Sequence, residues 1–190
     1  MPRVLPDTNV LFPFSLMDLL LALAEDSLID LVLTDRLLGE WERVIVREHH
    51  RTPEAAKKIA DLIRTGFATS LVPEYAYQQE MTGLDGPDPD DVHHMAAAIH
   101  ARADTVITWN IADFPATTLA PHGIAVTPPD PYLCTLLERY PDQILHTVTR
   151  MASEKKRPPM TTLDLIAKIE HAGVPTFAGR LRRLAAHPAA

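Results

Sequence analysis

The chain has 190 residues, 46% of them hydrophobic, with one Cys, 17 Pro and a formal net charge of −7. That length and apolar share exclude a disordered or collagen-like chain and point to one compact domain with its own core and room for a terminal extension. A lone Cys134 excludes an internal disulfide and a Cys-rich zinc site, which suits a reducing cytoplasm; it sits in an apolar helical run. The longest apolar stretch, Leu19 to Ala24, is too short to cross a membrane, and no signal-peptide core follows Met1-Pro2-Arg3. Charge is uneven: residues 1–149 hold 10 basic and 22 acidic side chains, residues 150–190 hold 8 and 3. An acidic body followed by a basic tail suggests two surfaces with different partners.

In chain order, Arg3-Val4-Leu5-Pro6 predicts a strand ending at Asp7, and residues 15–25 carry Leu16, Leu19, Leu20 and Leu23 at helical spacing. Leu31-Val32-Leu33 predicts a second strand, and Thr34 or Asp35 can cap a helix whose stripe is Leu37, Leu38, Trp41, Val44 and Ile45. A helix over about 53–64 and a brief third strand at 69–72 follow, then a loop over 73–88. Asp88-Pro89 opens a helix to about Arg102, with Pro at its first position. Strands four and five are Thr105–Thr108 and Ile124–Thr127, and four helices fill the rest. The strands are continuous apolar runs alternating with helices, which predicts an α/β fold with a central parallel sheet of about five strands covered on both faces. The domain proper is expected over residues 1–128 and a helical C-terminal extension over 129–190.

In such a sheet the strand C-termini share one edge, where ligands bind. Asp7 follows strand one, Asp113 lies just beyond strand four, Glu40 sits in the second turn of the helix leaving strand two, and Asp90 and Asp91 open the helix before strand four. A helical advance of about 100° per residue puts Asp91 at the border of the buried face and Asp90 roughly a quarter turn further out. The same construction turns Glu40 inward.

Carboxylates about 4 Å apart repel by roughly 4 kcal/mol at an effective dielectric near 20, so such a cluster favours a bound cation. Oxygen ligands without a Cys or spaced His pair suit Mg²⁺ or Mn²⁺, ions that polarise phosphodiesters and activate water. Singly, each residue also has an ordinary structural role: Asp91 complementing a helix dipole, Asp7 forming a turn beside Thr8 and Asn9, Glu40 as a helix-edge charge. Their convergence carries the functional reading.

Val4-Leu5-Pro6-Asp7-Thr8-Asn9-Val10-Leu11, Leu33-Thr34-Asp35 through Glu40-Trp41, Asp88-Pro89-Asp90-Asp91-Val92-His93-His94-Met95-Ala96-Ala97-Ala98, and Val106-Ile107-Thr108-Trp109-Asn110 through Asp113-Phe114-Pro115 stand in an order and spacing that resembles the PIN-domain ribonucleases, and within them the VapC-like toxins of toxin–antitoxin pairs. The resemblance covers residues 3–128. It implies a three-layer α/β/α fold, an endoribonuclease using Mg²⁺ or Mn²⁺, an acidic quartet of Asp7, Glu40, Asp91 and Asp113, and polar support from Thr8, Asn9, Asp90, Thr108 and Asn110. It further implies a cytoplasmic protein with a small antitoxin covering the site, and a homodimer as an option. The doubled Asp90-Asp91 leaves the third carboxylate to the helical-face argument. Pro6 before Asp7 is tolerable only if that position donates no ladder bond.

His93, His94 and His100 fall opposite the apolar stripe and are expected on the solvated surface, as are His49 and His50 at a helix end. Trp109 can stack on a base or pack at the site rim. Lys155, Lys156, Arg157, Arg180, Arg182 and Arg183 are the evident basic clusters, and offer contacts to RNA phosphates or to a partner. Two other readings stand beside the nuclease: a haloacid-dehalogenase-like phosphatase, for which Asn9 occupies the place of the needed second Asp, and a catalytically silent RNA- or protein-binding module.

Overall fold

A computed structural model describes residues 1–84 and 86–186. In chain order its elements are β1 (Arg3–Pro6), α1 (Thr8–Leu11), α2 (Phe14–Glu25), β2 (Asp30–Leu31), α3 (Asp35–Arg47), α4 (Pro53–Gly66), α5 (Glu74–Tyr77), α6 (Val92–His100), β3 (Thr105–Ile107), α7 (Ala116–Leu119), β4 (Ala125–Thr127), α8 (Pro129–Arg139), α9 (Pro141–Glu154), α10 (Thr162–His171) and α11 (Pro175–Ala186). They form two compact units, Met1–Phe12 with Asp30–Thr127, and Pro13–Ile29 with Pro128–Ala190. The last four residues of the expected extension lie outside the described residues.

Unit one is built on a parallel sheet of order β2-β1-β3-β4. Adjacent residues of a strand point to opposite faces, and Val4, Leu5, Val106 and Ile107 are all fully buried. Both faces are therefore covered, and the fold is a three-layer α/β/α sandwich. One face packs Leu5 and Val106 with Met95, Ala96 and Phe114.

The sheet has four strands rather than about five. Residues Ala68–Ser70 curl into a 3₁₀ turn and Pro73 follows directly, so the expected strand at 69–72 is reduced to one parallel bridge between Leu33 and Leu71. Pro6 explains the shortness of β2. Val32 N donates to Val4 O at 2.8 Å, and the next bond of that ladder would come from the residue at position 6, which has no N–H. Pairing between β1 and β2 ends there, while Asp7 N continues the other ladder to Ile107 O at 2.9 Å.

Strand order reverses at β1, since β2 lies on one side and β3 on the other. The crevice beyond the C-termini of β1 and β3 is the switch point, where parallel sheets bind ligands. Two helices aim at it. Thr34 caps α3 by accepting from Leu37 N at 3.0 Å, and Leu37, Leu38, Trp41 and Ile45 bury the helix. Trp41 Nε1 then donates to Leu11 O at 3.0 Å, tying α3 to α1. The second, α6, begins at Val92 and not at Pro89. Asp88 Oδ1 accepts from Asp90 N at 2.9 Å, forming a side-chain turn ahead of the helix and making Asp91 its N-cap.

Unit two is helical. Its core includes Leu133, Ile144, Val148, Ile166, Ile169, Phe177 and Leu181, and α10 opens on a capping box of Thr161 and Asp164. The segment Pro13–Ile29, which the sequence reading counts with residues 1–128, joins this unit. Leu16, Leu19, Leu20 and Leu23 of α2 are buried, and the helix packs on α9 and α10.

Candidate active site

Asp7 stands at the end of β1 with only 5% of its surface exposed. It is the N-cap of α1, yet its side chain caps nothing and stays available. Thr108, fully buried just after β3, donates its hydroxyl to Asp7 Oδ2 at 2.6 Å. The same Oγ1 accepts from Asn9 Nδ2 at 3.3 Å and from Asn110 N at 2.9 Å, and Asn9 Oδ1 accepts from Trp109 N at 3.3 Å. Thr108 and Asn9 thus lock the loop after β3 to the start of α1 and fix one oxygen of Asp7.

Glu40, on α3, is gripped from three directions. His93 Nε2 lies 2.7 Å from its Oε1, His94 Nε2 lies 3.2 Å from Oε2, and Thr8 Oγ1 donates to Oε2 at 3.2 Å. Burial pushes the Glu40 carboxyl up, but the hydrogen bond and charge of His94, with His93 and Thr8, outweigh it and hold the group below the usual carboxylate range. Burial and the neighbouring His94 push His93 down to about 3, so at neutral pH it is an uncharged imidazole donating Nε2–H. His94 lies with its ring edge against His93, centroids 3.9 Å apart, and its Nε2 is also 3.9 Å from Asp7 Oδ1. Its Nδ1 is buried and meets no partner among the described residues. Its Nε2, 3.2 Å from Glu40 Oε2, is the nitrogen placed to donate to that carboxylate. The hydrogen-bond pattern therefore assigns both histidines as donors that position Glu40.

These two residues correct the expectation of a solvated face. His93 and His94 are each 1% exposed. The signal lay in composition: Val92 to Ile99 contains no Lys, Arg, Asp or Glu, and a helix without a polar face is buried all round. His100, at the end of α6, is exposed and meets Glu80 at 3.1 Å.

Asp91 faces the same crevice, and Asp90 is exposed. Burial, then the charge of Asp7, with Asp88 and Asp113 adding to it and His94 opposing, pushes Asp91 up to about 6. Asp113 ends the 3₁₀ turn Ile111–Asp113 and reaches the site through that electrostatic effect on Asp91. It is not among the donor groupings found among the described residues, which are Asp7 with Asp91 and His94, and Glu40 with His93 and His94, each with donor atoms within 4.8 Å of one another. Oxygen donors from Asp7 and Asp91 at that spacing, with one carboxyl destabilised by its neighbour's charge, fit a hard divalent cation.

A cleft of about 620 Å³ opens over this cluster, lined by Asp7, Glu40, Asp90, Asp91 and His94 together with Arg36, Arg43 and Arg47 of α3. Trp109 is 39% exposed. The six expected basic residues take no part in the lining. Within unit two Lys155 pairs with Asp18 at 2.8 Å, Arg180 pairs with Glu138, and Arg182 pairs with Glu170. Lys156 donates to Ser153 O and Arg183 to Gly179 O. Arg157 lies in the turn between α9 and α10.

Residues 3–112 match the family model described as PIN domain. The chain belongs to the PIN-domain family. Its fold is thereby that of a PIN domain, and the phosphatase reading falls. Residues 129–183 match a second family, described as VapC50 C-terminal domain. A curated relative, the "Putative ribonuclease VapC50" of Mycobacterium tuberculosis, is 33% identical over 94 residues, 50% of this chain and 55% of that protein. The matched stretch thus spans about half the length of each. No solved structure matches the chain. Among the described residues no helix is long and apolar enough to cross a membrane.

Proposed function

We propose that this PIN protein is a divalent-cation-dependent endoribonuclease that hydrolyses RNA phosphodiesters, and that it is the toxin of a toxin–antitoxin pair. The observation that carries the reading is the arrival of Asp7, Glu40 and Asp91 from three separate elements in one cleft at the sheet's switch point. Asp7 and Asp91 would hold Mg²⁺ or Mn²⁺, with Asp113 adding negative potential behind Asp91. The cation, when bound, supplies Lewis acidity and counter-charge at the scissile phosphate.

The chain's own groups do the rest. Thr108 keeps one oxygen of Asp7 aimed and leaves Oδ1 toward the crevice. Glu40, ionised and a weak base because of its three donors, is suited to orienting a water by accepting its hydrogen bond rather than to removing its proton. His93 and His94 hold that carboxylate in place. Unit one, Met1–Phe12 with Asp30–Thr127, is the nuclease in this reading, and the helices from Pro129 are its extension. The VapC50 names of the relative and of the matching C-terminal family support the toxin role, and with it a cytoplasmic protein whose partner is a small antitoxin. A homodimer belongs to the same reading.

The test is cleavage of RNA by the purified chain with Mg²⁺, with Mn²⁺ and with EDTA, beside Asp7→Asn. Cleavage that needs the cation and falls by at least ~100-fold in Asp7→Asn is expected, the scale on which one positioned charged group contributes at an active site. Equal cleavage by both chains removes Asp7 from the mechanism.

A further inference from the structure

RNA brings phosphates on both sides of the cut, and the acidic floor of the cleft repels them. Something cationic must hold the flanking strand. Sequence position suggests the tail, but none of those cations lines the cleft, and three of the six, Lys155, Arg180 and Arg182, pair with carboxylates of their own unit. The cleft itself supplies the alternative.

Arg36, Arg43 and Arg47 stand at intervals of seven and four along α3, which at about 100° per residue brings all three to one line of the helix. All three line the cleft that also holds Asp7 and Asp91. Arg43 and Arg47 keep 71% of their side chains exposed, and Arg36 keeps 35%. Their present partners are loose: Arg36 Nε and Arg43 NH2 lie 3.6 Å and 3.9 Å from Glu40 Oε1, beyond good hydrogen-bond distance. Arg47 meets Glu48 at 3.0 Å on the open surface, where water screens the pair. Glu40 keeps His93, His94 and Thr8 as donors, so releasing the arginines leaves it partnered with room for a water.

We propose that Arg36, Arg43 and Arg47, which flank Glu40 along α3, form a track that binds the RNA phosphates on either side of the scissile bond. At 1.5 Å per residue the row runs about 16 Å, the rise of about five stacked nucleotides at 3.4 Å each. Guanidinium forks suit this task because each can grip a phosphate through two parallel N–H bonds. The contacts go to backbone alone, so the track binds single strands without regard to base identity.

This inference rests on the ribonuclease reading, and the experiment separates the two. Binding of a fluorescein-labelled, mixed-sequence single-stranded RNA is followed by anisotropy between about 50 and 200 mM salt, on full-length Asp7→Asn and on the same chain carrying Arg43→Gln and Arg47→Gln. The added substitutions are expected to flatten the plot of log affinity against log salt by about 1.4, or about 0.7 for each phosphate no longer neutralised. In the chain with Asp7 intact, the same two changes raise KM and leave kcat near its starting value, since they touch binding remote from the reacting atoms. An unchanged slope, with Asp7→Asn still binding RNA and the chain with Asp7 intact still cleaving it, overturns the track alone. A chain with Asp7 intact that neither binds nor cleaves RNA overturns the nuclease reading and the track with it.

Discussion

Asp91 is the residue at which the site's charge is most strained. Burial and Asp7 lift its carboxyl to about 6, from an ordinary value of 3.8. A carboxyl whose folded value lies above its unfolded one stabilises the fold only while protonated; that contribution is full below about 3.8 and is lost as pH climbs through about 6. Near neutrality the ionised pair repels, and a cation that neutralises it restores the loss. Mn²⁺ is therefore expected to raise Tm more at about pH 7.5 than at about pH 5, where protons occupy Asp91 instead. Equal shifts at both pH values would take Asp91 out of the cation site. The approach of Asp7, Glu40 and Asp91 to one cleft is legible in the sequence because a strand end and two helix starts fix them, whereas Asp113 does not line it. His93 and His94 are not legible, because Val92, Met95, Ala96, Ile99 and Ala103 read as the one buried face of that helix, whereas the histidines complete a helix buried on all sides.

At the scale of elements, the starts of two helices decide whether the site exists. The start of α3 is set by Thr34, which is 1% exposed and accepts from Leu37 N at 3.0 Å. Thr34→Ala should cost about 1–2 kcal/mol in urea unfolding, and Thr34→Ser, which keeps the cap, should recover most of it. A loss equal in both variants would trace the cost to the methyl group rather than to the cap. The start of α6 lies beyond the one that the sequence predicts. Pro89 has the look of a first helical residue, but Asp88 offers its side chain to Asp90 N and delays the helix until Val92. That delay moves Asp91 from the helix body to its N-cap, where an unused carboxylate points into the crevice. The existence and order of helices and strands are readable from apolar periodicity; the loss of a strand at 69–72 is not, because pairing there depends on a 3₁₀ turn and a proline rather than on apolar content.

Across the whole molecule the charge is divided differently from its division along the chain. Unit one holds 9 basic and 16 acidic side chains, and unit two holds 9 of each. The tail's excess of +5 is balanced within its unit by Asp18, Glu25 and Asp26 from far earlier in the sequence and by Asp130, Glu138 and Asp142 less Arg139, and Arg150 alone reaches Glu25 and Asp26 at 3.6 Å and 3.1 Å. The entire net charge of −7 belongs to the unit with the cleft, which makes the arginine row on α3 the more consequential. The borrowed segment has a second effect. A chain cut after residue 128 keeps α2 and loses α9 and α10, so Leu16, Leu19, Leu20 and Leu23 are bared. Such a fragment should bind a hydrophobic dye and aggregate, and a soluble fragment with cooperative unfolding would show that α2 finds cover elsewhere. The same dependence runs in time. With synthesis at ~5–20 residues per second, roughly 6–23 s pass between the making of Glu25 and that of Pro141, and α2 must wait unpartnered for that interval in every new molecule.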